Sequence, residues 1–244
     1  MNHNRIEWLI DRPIAHRGLH DGGATPENSL KAFRDASSRG FAVELDARLS
    51  SDGCVMVFHD ARLDRMTGDR DAVSDTHSRR LAELSLLGTT QTIPQLEEVL
   101  PEIAVPVAIE IKNESERAGA LEDEVCRIVE TTQVSVVLMS FNRATVEAVA
   151  ARAPKIPRGF LVSPFSPGSR WSDRQRDLMR LISAAQIDFV GCDVRGLPYA
   201  PVDNLPESVK VFGWTVRSLQ EETEARRWVD NVIFEGYVPE LPAE

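Results

Sequence analysis

The stretch from Phe41 to Asp60 carries side chains that could hold a metal ion beside an acid or a base. Two β-rich runs flank a turn containing an Asp-Gly pair, a pattern that predicts a hairpin. Glu44 and Asp46 are two residues apart, so they face the same side of a strand. The hairpin brings His59 close to both carboxylates. Such a patch suits metal-assisted hydrolysis of a phosphate ester, and a solvated hairpin with unrelated charges is the alternative.

Other short motifs with polar, chemically capable side chains occur along the chain. In order, they are Ala15-His16-Arg17-Gly18, Pro26-Glu27-Asn28-Ser29, Glu44-Leu45-Asp46, His59-Asp60, Glu110-Ile111-Lys112 and Trp214-Thr215-Val216. The set spans about Pro13 to Tyr237 and resembles the glycerophosphodiester phosphodiesterase family, within the phospholipase-C-like phosphodiesterase superfamily. The combination is far more specific than any single motif.

Three carboxylates are the candidate metal ligands. Glu44, Asp46 and Glu110 supply hard oxygen donors, which suit Mg²⁺ or Ca²⁺ better than zinc because no Cys or His cluster accompanies them. Their alternative role is as surface acids or ion-pair partners. The family resemblance implies that the same three positions bind a divalent metal. The residue types do not separate Mg²⁺ from Ca²⁺.

Two of the five histidines occupy candidate site positions. Cleavage of a diester needs a base for the attacking oxygen and an acid for the leaving oxygen, and imidazole serves both near neutral pH. His16 and His59 are therefore the expected catalytic pair, although a single histidine at a strand end is often structural. His3, His20 and His77 fall in terminal or loop positions and are left out.

Five further residues are expected to bind the substrate or its phosphate. Arg17 and Lys112 could supply the fixed positive charge that phosphoryl chemistry needs, or could serve only as ion-pair partners. The resemblance implies that both belong to the site. Glu27 and Asn28 are expected in the loop over the first strand, where helix capping is an alternative for Asn28. Trp214 either packs the barrel or forms an apolar wall against glycerol.

The elements that must position these residues alternate between strands and helices. The predicted strands are Pro13–His16, Phe41–Ser50, Cys54–Asp60, Val105–Lys112, Val134–Phe141, Gly159–Ser163, Phe189–Asp193, Val209–Val216 and Val232–Glu235. The predicted helices are Ser29–Ser38, Ser78–Leu84, Pro94–Leu100, Glu116–Thr131, Arg143–Arg152, Asp173–Ala185, Pro201–Glu207 and Leu219–Val229, and 164–169 is a predicted loop.

This alternation predicts a (β/α)8 TIM barrel of the phospholipase-C-like phosphodiesterase type. Nine strands are one too many, so the run that ends at Asp60 is interpreted as a hairpin arm after strand 2. A doubly wound sheet is the alternative, but no Gly-x-Gly-x-x-Gly follows any strand. Active sites of these barrels lie at the carboxyl ends of the strands, where the candidate residues fall.

Composition limits the class of protein. A chain of 244 residues is expected to form a single domain, with the barrel over about 13–238. The net charge of −10 argues against nucleic acid as a partner. Three widely spaced cysteines are expected to be buried and reduced. With no transmembrane segment or signal peptide recognised, the expected location is the cytoplasm, and the oligomeric state is open.

The expected function is metal-dependent hydrolysis of a small glycerophosphodiester to an alcohol and glycerol 3-phosphate. A lysophospholipase-D-like enzyme or a sugar-phosphodiester phosphodiesterase is the alternative on the same fold. A non-catalytic phosphate-binding barrel is a further alternative, but it would be expected to lack a histidine or an acid of the set. The chain departs from the family pattern in two places: Leu86–Pro94 is short and lacks aromatics, and Glu235 stands where Thr-Asp is more usual.

Overall fold

The computed structural model describes residues 5–115, 118–163, 171–198 and 204–241, with 171–174 described by backbone alone. Nine strands lie in one sheet: β1 (Ile14–Ala15), β2 (Ala42–Leu49), β3 (Val55–Val57), β4 (Val107–Ile111), β5 (Val136–Ser140), β6 (Arg158–Val162), β7 (Phe189–Asp193), β8 (Lys210–Val216) and β9 (Asn231–Phe234). The strand order is β1-β9-β8-β7-β6-β5-β4-β2-β3, and β1 also pairs with β2.

Eight of these strands close into a parallel barrel, and the ninth lies outside it. The β1–β2 pairing joins the two ends of the parallel series. β3 runs antiparallel to β2, with Ala47 opposite Val57, so it is the returning arm of the predicted hairpin. Gly53 in the turn has a φ of 84°, which glycine adopts without strain. The predicted (β/α)8 barrel with a hairpin arm after strand 2 is therefore confirmed.

The helices lie in the connections between strands, except the first, which precedes β1. They are α1 (Glu7–Ile10), α2 (Leu30–Ser38), α3 (Asp64–Thr67), α4 (Ser78–Leu81), α5 (Leu96–Val99), α6 (Ala120–Thr131), α7 (Arg143–Arg152), α8 (Trp171–Ala185) and α9 (Leu219–Ala225). None of those in the described part of the chain is both long and apolar enough to cross a membrane.

Most predicted helices are present, but several bounds differ. α5 begins at Leu96 instead of Pro94 because Gln95 takes the N-cap position and Glu98 accepts the Gln95 backbone N–H at 3.0 Å. The helix predicted over Pro201–Glu207 is wrong for residues 204–207, which contain turns and no helix. Residues 201–203 and the predicted loop over 164–169 lie outside the described residues.

The barrel interior is filled with apolar side chains, and α1 covers its amino-terminal end. Phe189 and Phe212 stack inside the barrel with ring centroids 4.6 Å apart. A Cβ atom on Gly159 would lie 2.2 Å from the Phe189 ring, so only glycine fits there. Leu9 of α1 is fully buried in the same cluster. The Asn231 side chain donates hydrogen bonds to the Leu9 and Arg12 carbonyl oxygens, at 2.8 and 2.7 Å.

Residues 58–106 form an insertion between β3 and β4. The part of this insertion before α5 packs with β3 around a small apolar core, whereas Leu96 and Val99 of α5 belong to the main core. The cluster of this small core includes Met56, Phe58, Leu63, Leu81 and Ile93. Cys54, which was expected to be buried, is only partly buried at the edge of this cluster, whereas Cys126 and Cys192 are buried as expected. The insertion is what carries the chain from the hairpin arm back into the barrel.

Candidate active site

The three candidate metal ligands are brought together by strand register. Glu44 and Asp46 face one side of β2, as the period of a strand requires. Asp46 is the register partner of Glu110 on β4, so the two carboxylates stand side by side at neighbouring strand ends. Each residue offers a carboxylate oxygen within 4.8 Å of those of the other two. The structure therefore brings these acids together at the carboxyl end of the barrel, as the sequence predicts.

Cations surround this carboxylate cluster without neutralising it. Lys112 Nζ lies 2.7 Å from Glu110 and 3.1 Å from Asp46. Arg17 Nε lies 3.3 Å from Asp46, and the Arg17 backbone N–H donates to Glu44 Oε2 at 2.8 Å. The other oxygen of Glu44, Oε1, is buried and has no hydrogen-bond partner among the described residues. A buried carboxylate oxygen in this state favours binding of a cation.

The electrostatics of the cluster follow from burial and the unequal distribution of cations. Burial raises the pKa of Glu44 well above its usual range, and the charges of Asp46 and Glu110 add to the effect. Burial likewise raises the pKa of Glu110, although Lys112 opposes it. Burial would also raise the pKa of Asp46, but Lys112 and Arg17 outweigh burial and hold that pKa far below its usual range. The trio therefore fits a divalent cation.

The loop after β1 shapes the cationic side of the site. Arg17 and Asn28 both adopt left-handed backbone conformations with φ of 55°. Asn28 does not cap α2; Ser29 does, by accepting the Ala32 N–H. The Asn28 side chain instead donates to Asp46 Oδ2 at 2.7 Å and accepts the Asp46 N–H at 3.3 Å. Asn28 thus fixes the orientation of a candidate metal ligand.

His16 lies at the end of β1 and is held by a residue distant in the chain. Its Nδ1 is 2.5 Å from Glu235 Oε2, and its Nε2 is 4.0 Å from Glu44 Oε2. The hydrogen bond with His16 lowers the pKa of Glu235 to about 2, and Arg217 lies 2.7 Å from the other Glu235 oxygen. Burial lowers the pKa of His16 despite the Glu235 contact. A neutral His16 therefore donates from Nδ1 and leaves Nε2 available.

His59 reaches the same cavity from the hairpin arm. Its Nδ1 lies 2.6 Å from Asp60 Oδ1, and Arg48 Nε donates to the His59 carbonyl oxygen at 2.7 Å. Burial lowers the pKa of His59, although the nearby Asp46 charge opposes this. A carboxylate accepts only, so a neutral His59 also presents Nε2 as its free ring nitrogen.

A cavity of about 210 Å³ joins these groups. The residues that line it are His16, Arg17, Glu44, His59, Glu110, Lys112, Met139, Phe141, Leu161, Trp214, Thr215, Arg217 and Ile233. The lining therefore combines charged side chains with apolar ones. Trp214 packs edge to face on Phe141, with the ring centroids 5.4 Å apart. Trp214 therefore both lines the cavity and packs at the barrel end. Glu27 is outside this lining set, but its Oε1 lies 2.7 Å from Nη1 of Arg17, which is in the set.

Two charged residues near the site were not found from the sequence. Arg217 directly follows the Trp214-Thr215-Val216 motif, and its place just past a strand end was an available signal. Arg65 lies on α3, in a polar stretch with no clear periodicity, and contacts Glu27 and Asp60. Only the folded insertion brings Arg65 to the site.

Comparison with known proteins agrees with this geometry. A model of the family described as "Glycerophosphoryl diester phosphodiesterase family" matches residues 16–235. The uncharacterized protein YqiK of Bacillus subtilis is 34% identical over 162 residues, covering 62% of this chain and 66% of YqiK. The chain thus spans slightly less than two thirds of that relative.

A relative of similar length gives a fuller match. The glycerophosphodiester phosphodiesterase of Caldanaerobacter subterraneus subsp. tengcongensis is 31% identical over 238 residues, covering 90% of this chain and 92% of that protein. A phosphodiesterase of Oleispira antarctica, solved in complex with the product sn-glycerol-3-phosphate, has the same fold, with a TM-score of 0.73 and 24% identity over 92% of each chain. The resemblance in the sequence motifs is confirmed, and the chain belongs to the glycerophosphoryl diester phosphodiesterase family.

Proposed function

We propose that this protein hydrolyses glycerophosphodiesters to an alcohol and glycerol 3-phosphate, with a divalent metal and two histidines. The observation that carries the proposal is that His16, His59, Glu44 and Glu110 line one cavity at the carboxyl end of the barrel. Family membership supports the reaction class. The product complex of the Oleispira antarctica relative supports glycerol 3-phosphate as the product.

Glu44, Asp46 and Glu110 would hold the metal, which would be Mg²⁺ or Ca²⁺. A divalent cation supplies positive charge for phosphate oxygens and lowers the pKa of a hydroxyl bound to it. Arg17 and Lys112 add fixed positive charge to the lining of the same cavity. Together these charges favour a phosphodiester over a neutral ester, because negative charge collects on the non-bridging oxygens during the reaction.

The two imidazoles would carry the proton transfers. Each has its Nδ1 held by a carboxylate, Glu235 for His16 and Asp60 for His59. The Nε2 atom of one removes the proton from the glycerol hydroxyl next to the phosphate, and that oxygen attacks phosphorus. The other histidine starts as the doubly protonated imidazolium, and its Nε2–H protonates the departing alcohol oxygen as the bond from that oxygen to phosphorus breaks. The product of this step is a five-membered cyclic phosphate.

Water then opens the cyclic phosphate with the histidines in exchanged roles. The histidine that lost its proton takes one from water, whose oxygen attacks phosphorus. The other returns a proton to the glycerol oxygen, which leaves glycerol 3-phosphate and restores both side chains. Proton balance is complete over the two steps, so no other reactant is needed.

The test compares substrates with and without the neighbouring hydroxyl. Purified protein with Mg²⁺ or Ca²⁺ should hydrolyse glycerophosphodiesters and should leave bis(p-nitrophenyl) phosphate, which has no such hydroxyl, intact. Phosphorus NMR should detect the cyclic phosphate during turnover. Efficient hydrolysis of bis(p-nitrophenyl) phosphate would contradict the hydroxyl-attack mechanism and favour attack by water.

The same assay separates the alternative substrates. Lysophospholipids and sugar phosphodiesters are included in the screen beside glycerophosphodiesters. Hydrolysis of a lysophospholipid or a sugar diester with a clearly higher kcat/KM would replace the substrate in the proposal. Absence of turnover with every diester and either metal would contradict the proposal as a whole.

A further inference from the structure

The structure assigns Arg65 a positioning role: it holds the end of the hairpin arm, which carries His59, against the loop after β1, which carries Arg17 and Glu27. This inference rests on the proposed function of the site. Arg65 belongs to α3 of the insertion, and its role depends on the contacts made by each nitrogen of its guanidinium group.

The first contact holds the histidine. Arg65 Nε donates to Asp60 Oδ2 at 2.6 Å, and Asp60 Oδ1 is 2.6 Å from His59 Nδ1. His59 lies beyond the end of β3, outside the barrel, so the barrel hydrogen bonds do not set its ring orientation. The Asp60 carboxylate bridges His59 to Arg65, and movement of Arg65 would therefore turn the His59 ring.

The second contact anchors the arginine to the opposite side of the site. Arg65 Nη2 donates to Glu27 Oε1 at 2.7 Å, and Nη1 donates to Glu27 Oε2 at 2.9 Å. Glu27 Oε1 also accepts from Arg17 Nη1 at 2.7 Å. A continuous chain of side chains thus connects His59 to Arg17 through Asp60, Arg65 and Glu27.

The geometry requires arginine and not merely a positive charge. The planar guanidinium group reaches one carboxylate with Nε and forks onto a second with both terminal nitrogens, which a lysine ammonium cannot do. The Arg65 side chain is 45% exposed, so its ion pairs contribute little to the free energy of unfolding. Its loss should therefore affect the reaction more than the stability of the fold.

The test replaces Arg65 with lysine, which keeps the charge and most of the aliphatic stem. We expect R65K to lower kcat about 10-fold or more, since small misplacement of a catalytic group is costly, while the melting temperature changes little. Arg80→Lys is the matched control, because Arg80 is also exposed on the insertion and pairs with Asp69, away from the site. R80K should keep wild-type kcat and KM.

A second variant tests whether Arg65 acts through Asp60. In an Asp60→Ala background, where His59 is already released, R65K should change kcat less than about twofold. If the double variant lost kcat by the product of the losses in R65K and in Asp60→Ala, the inference would be overturned. Full activity of R65K in the otherwise unchanged protein would overturn it as well.

A readout independent of activity distinguishes this inference from the proposed function. In ¹⁵N-labelled protein, the ring nitrogens of His59, assigned with a His59→Gln variant, should show the Nδ1–H tautomer. R65K should shift these signals toward the other tautomer, and R80K should not. Unchanged His59 signals in R65K would overturn the positioning role even if the enzyme were inactive, whereas a missing phosphodiesterase activity with shifted signals would overturn only the proposed function.

Discussion

Single residues in the site work against the stability of the fold. Glu44, Asp46 and Glu110 place three acids in buried positions beside two cations, and Glu44 Oε1 has no hydrogen-bond partner in the part of the chain that the structure describes. Burial of charge without full compensation lowers the stability of the folded protein. Functional sites commonly keep such charges because the activity needs them. The folded protein should therefore become more stable when a cation binds the carboxylate cluster or when one of its acids is replaced by a neutral residue.

Metal binding is the first prediction at this scale. Mg²⁺ or Ca²⁺ added to chelator-treated protein should raise the melting temperature, since a ligand that binds only the folded state stabilises it. Glu44→Gln should raise the melting temperature of the metal-free protein and abolish the metal-dependent increase. Thermal unfolding followed with and without metal measures both effects. An unchanged metal response in this variant would remove Glu44 from the ligand set.

Glu235 supplies the second prediction. Its Oε2 lies 2.5 Å from His16 Nδ1, so Glu235→Gln keeps the shape of the side chain but removes the charge that orients the ring. We expect kcat to fall about 10-fold or more, as for other groups that orient a catalytic or ligating histidine. Steady-state kinetics beside Glu240→Gln, an exposed control near the end of the chain, measures the effect. A wild-type kcat for Glu235→Gln would show that Glu235, which stands where the family more often has Thr-Asp, does not contribute to catalysis.

At the scale of elements, the hairpin and the insertion form one unit that delivers His59. The hairpin turn is joined to α4 by Asp52, whose Oδ1 accepts the Ser78 N–H at 2.8 Å and whose Oδ2 accepts the Ser78 hydroxyl at 2.7 Å. These hydrogen bonds from Ser78 hold the pKa of Asp52 below its usual range. The position of the arm therefore depends on the ionised form of this carboxylate.

A pH-dependent loss of stability follows from Asp52. Its pKa is lower in the folded than in the unfolded protein, so its stabilisation is present above the unfolded pKa of about 4 and is lost as pH falls. Asp52→Asn should be less stable than wild type at pH 7, with a difference that shrinks below about pH 4. Urea unfolding at pH 7, 5 and 3 measures this. Asp35→Asn on the solvent face of α2 is the control. If Asp52→Asn lowered the free energy of unfolding by the same amount at pH 7 and at pH 3, the prediction would be contradicted.

At the scale of the whole molecule, the two ends of the barrel have different tasks. The carboxyl end carries the charged cavity, and the amino end is closed by α1 with Leu9 buried under the strands. Asn231 of β9 donates hydrogen bonds to the carbonyl oxygens of Leu9 in α1 and of Arg12 just after α1. Barrel stability and site chemistry should therefore be separable by mutation.

Leu9→Ala tests this separation. Removing a fully buried leucine should lower the free energy of unfolding by about 2–5 kcal/mol, with kcat and KM unchanged below the new melting temperature. Urea unfolding and steady-state kinetics measure the two effects. Leu219→Ala is the matched control because Leu219 is 64% exposed. A large loss of kcat in folded Leu9→Ala protein would show that the two ends are coupled.

The sequence alone determined the barrel, the hairpin arm and the order of the site motifs, because these depend on local signals. The Asp-Gly turn, the apolar strand runs and the two-residue spacing of Glu44 and Asp46 each act within a few residues. Strand ends of a parallel barrel meet at one edge, so placing Glu110 on the neighbouring strand was enough to predict its convergence with them.

Only the tertiary structure decided what orients the site. The partner of His16 Nδ1 is Glu235, which is 219 residues away in sequence, and no periodic pattern connects the two. Arg65 reaches Glu27 from a four-residue helix, and α1 is equally short, so neither helix has enough turns for an amphipathic pattern to appear. These contacts depend on how separate loops pack over the barrel ends, and that packing is set by the whole chain instead of by any local segment.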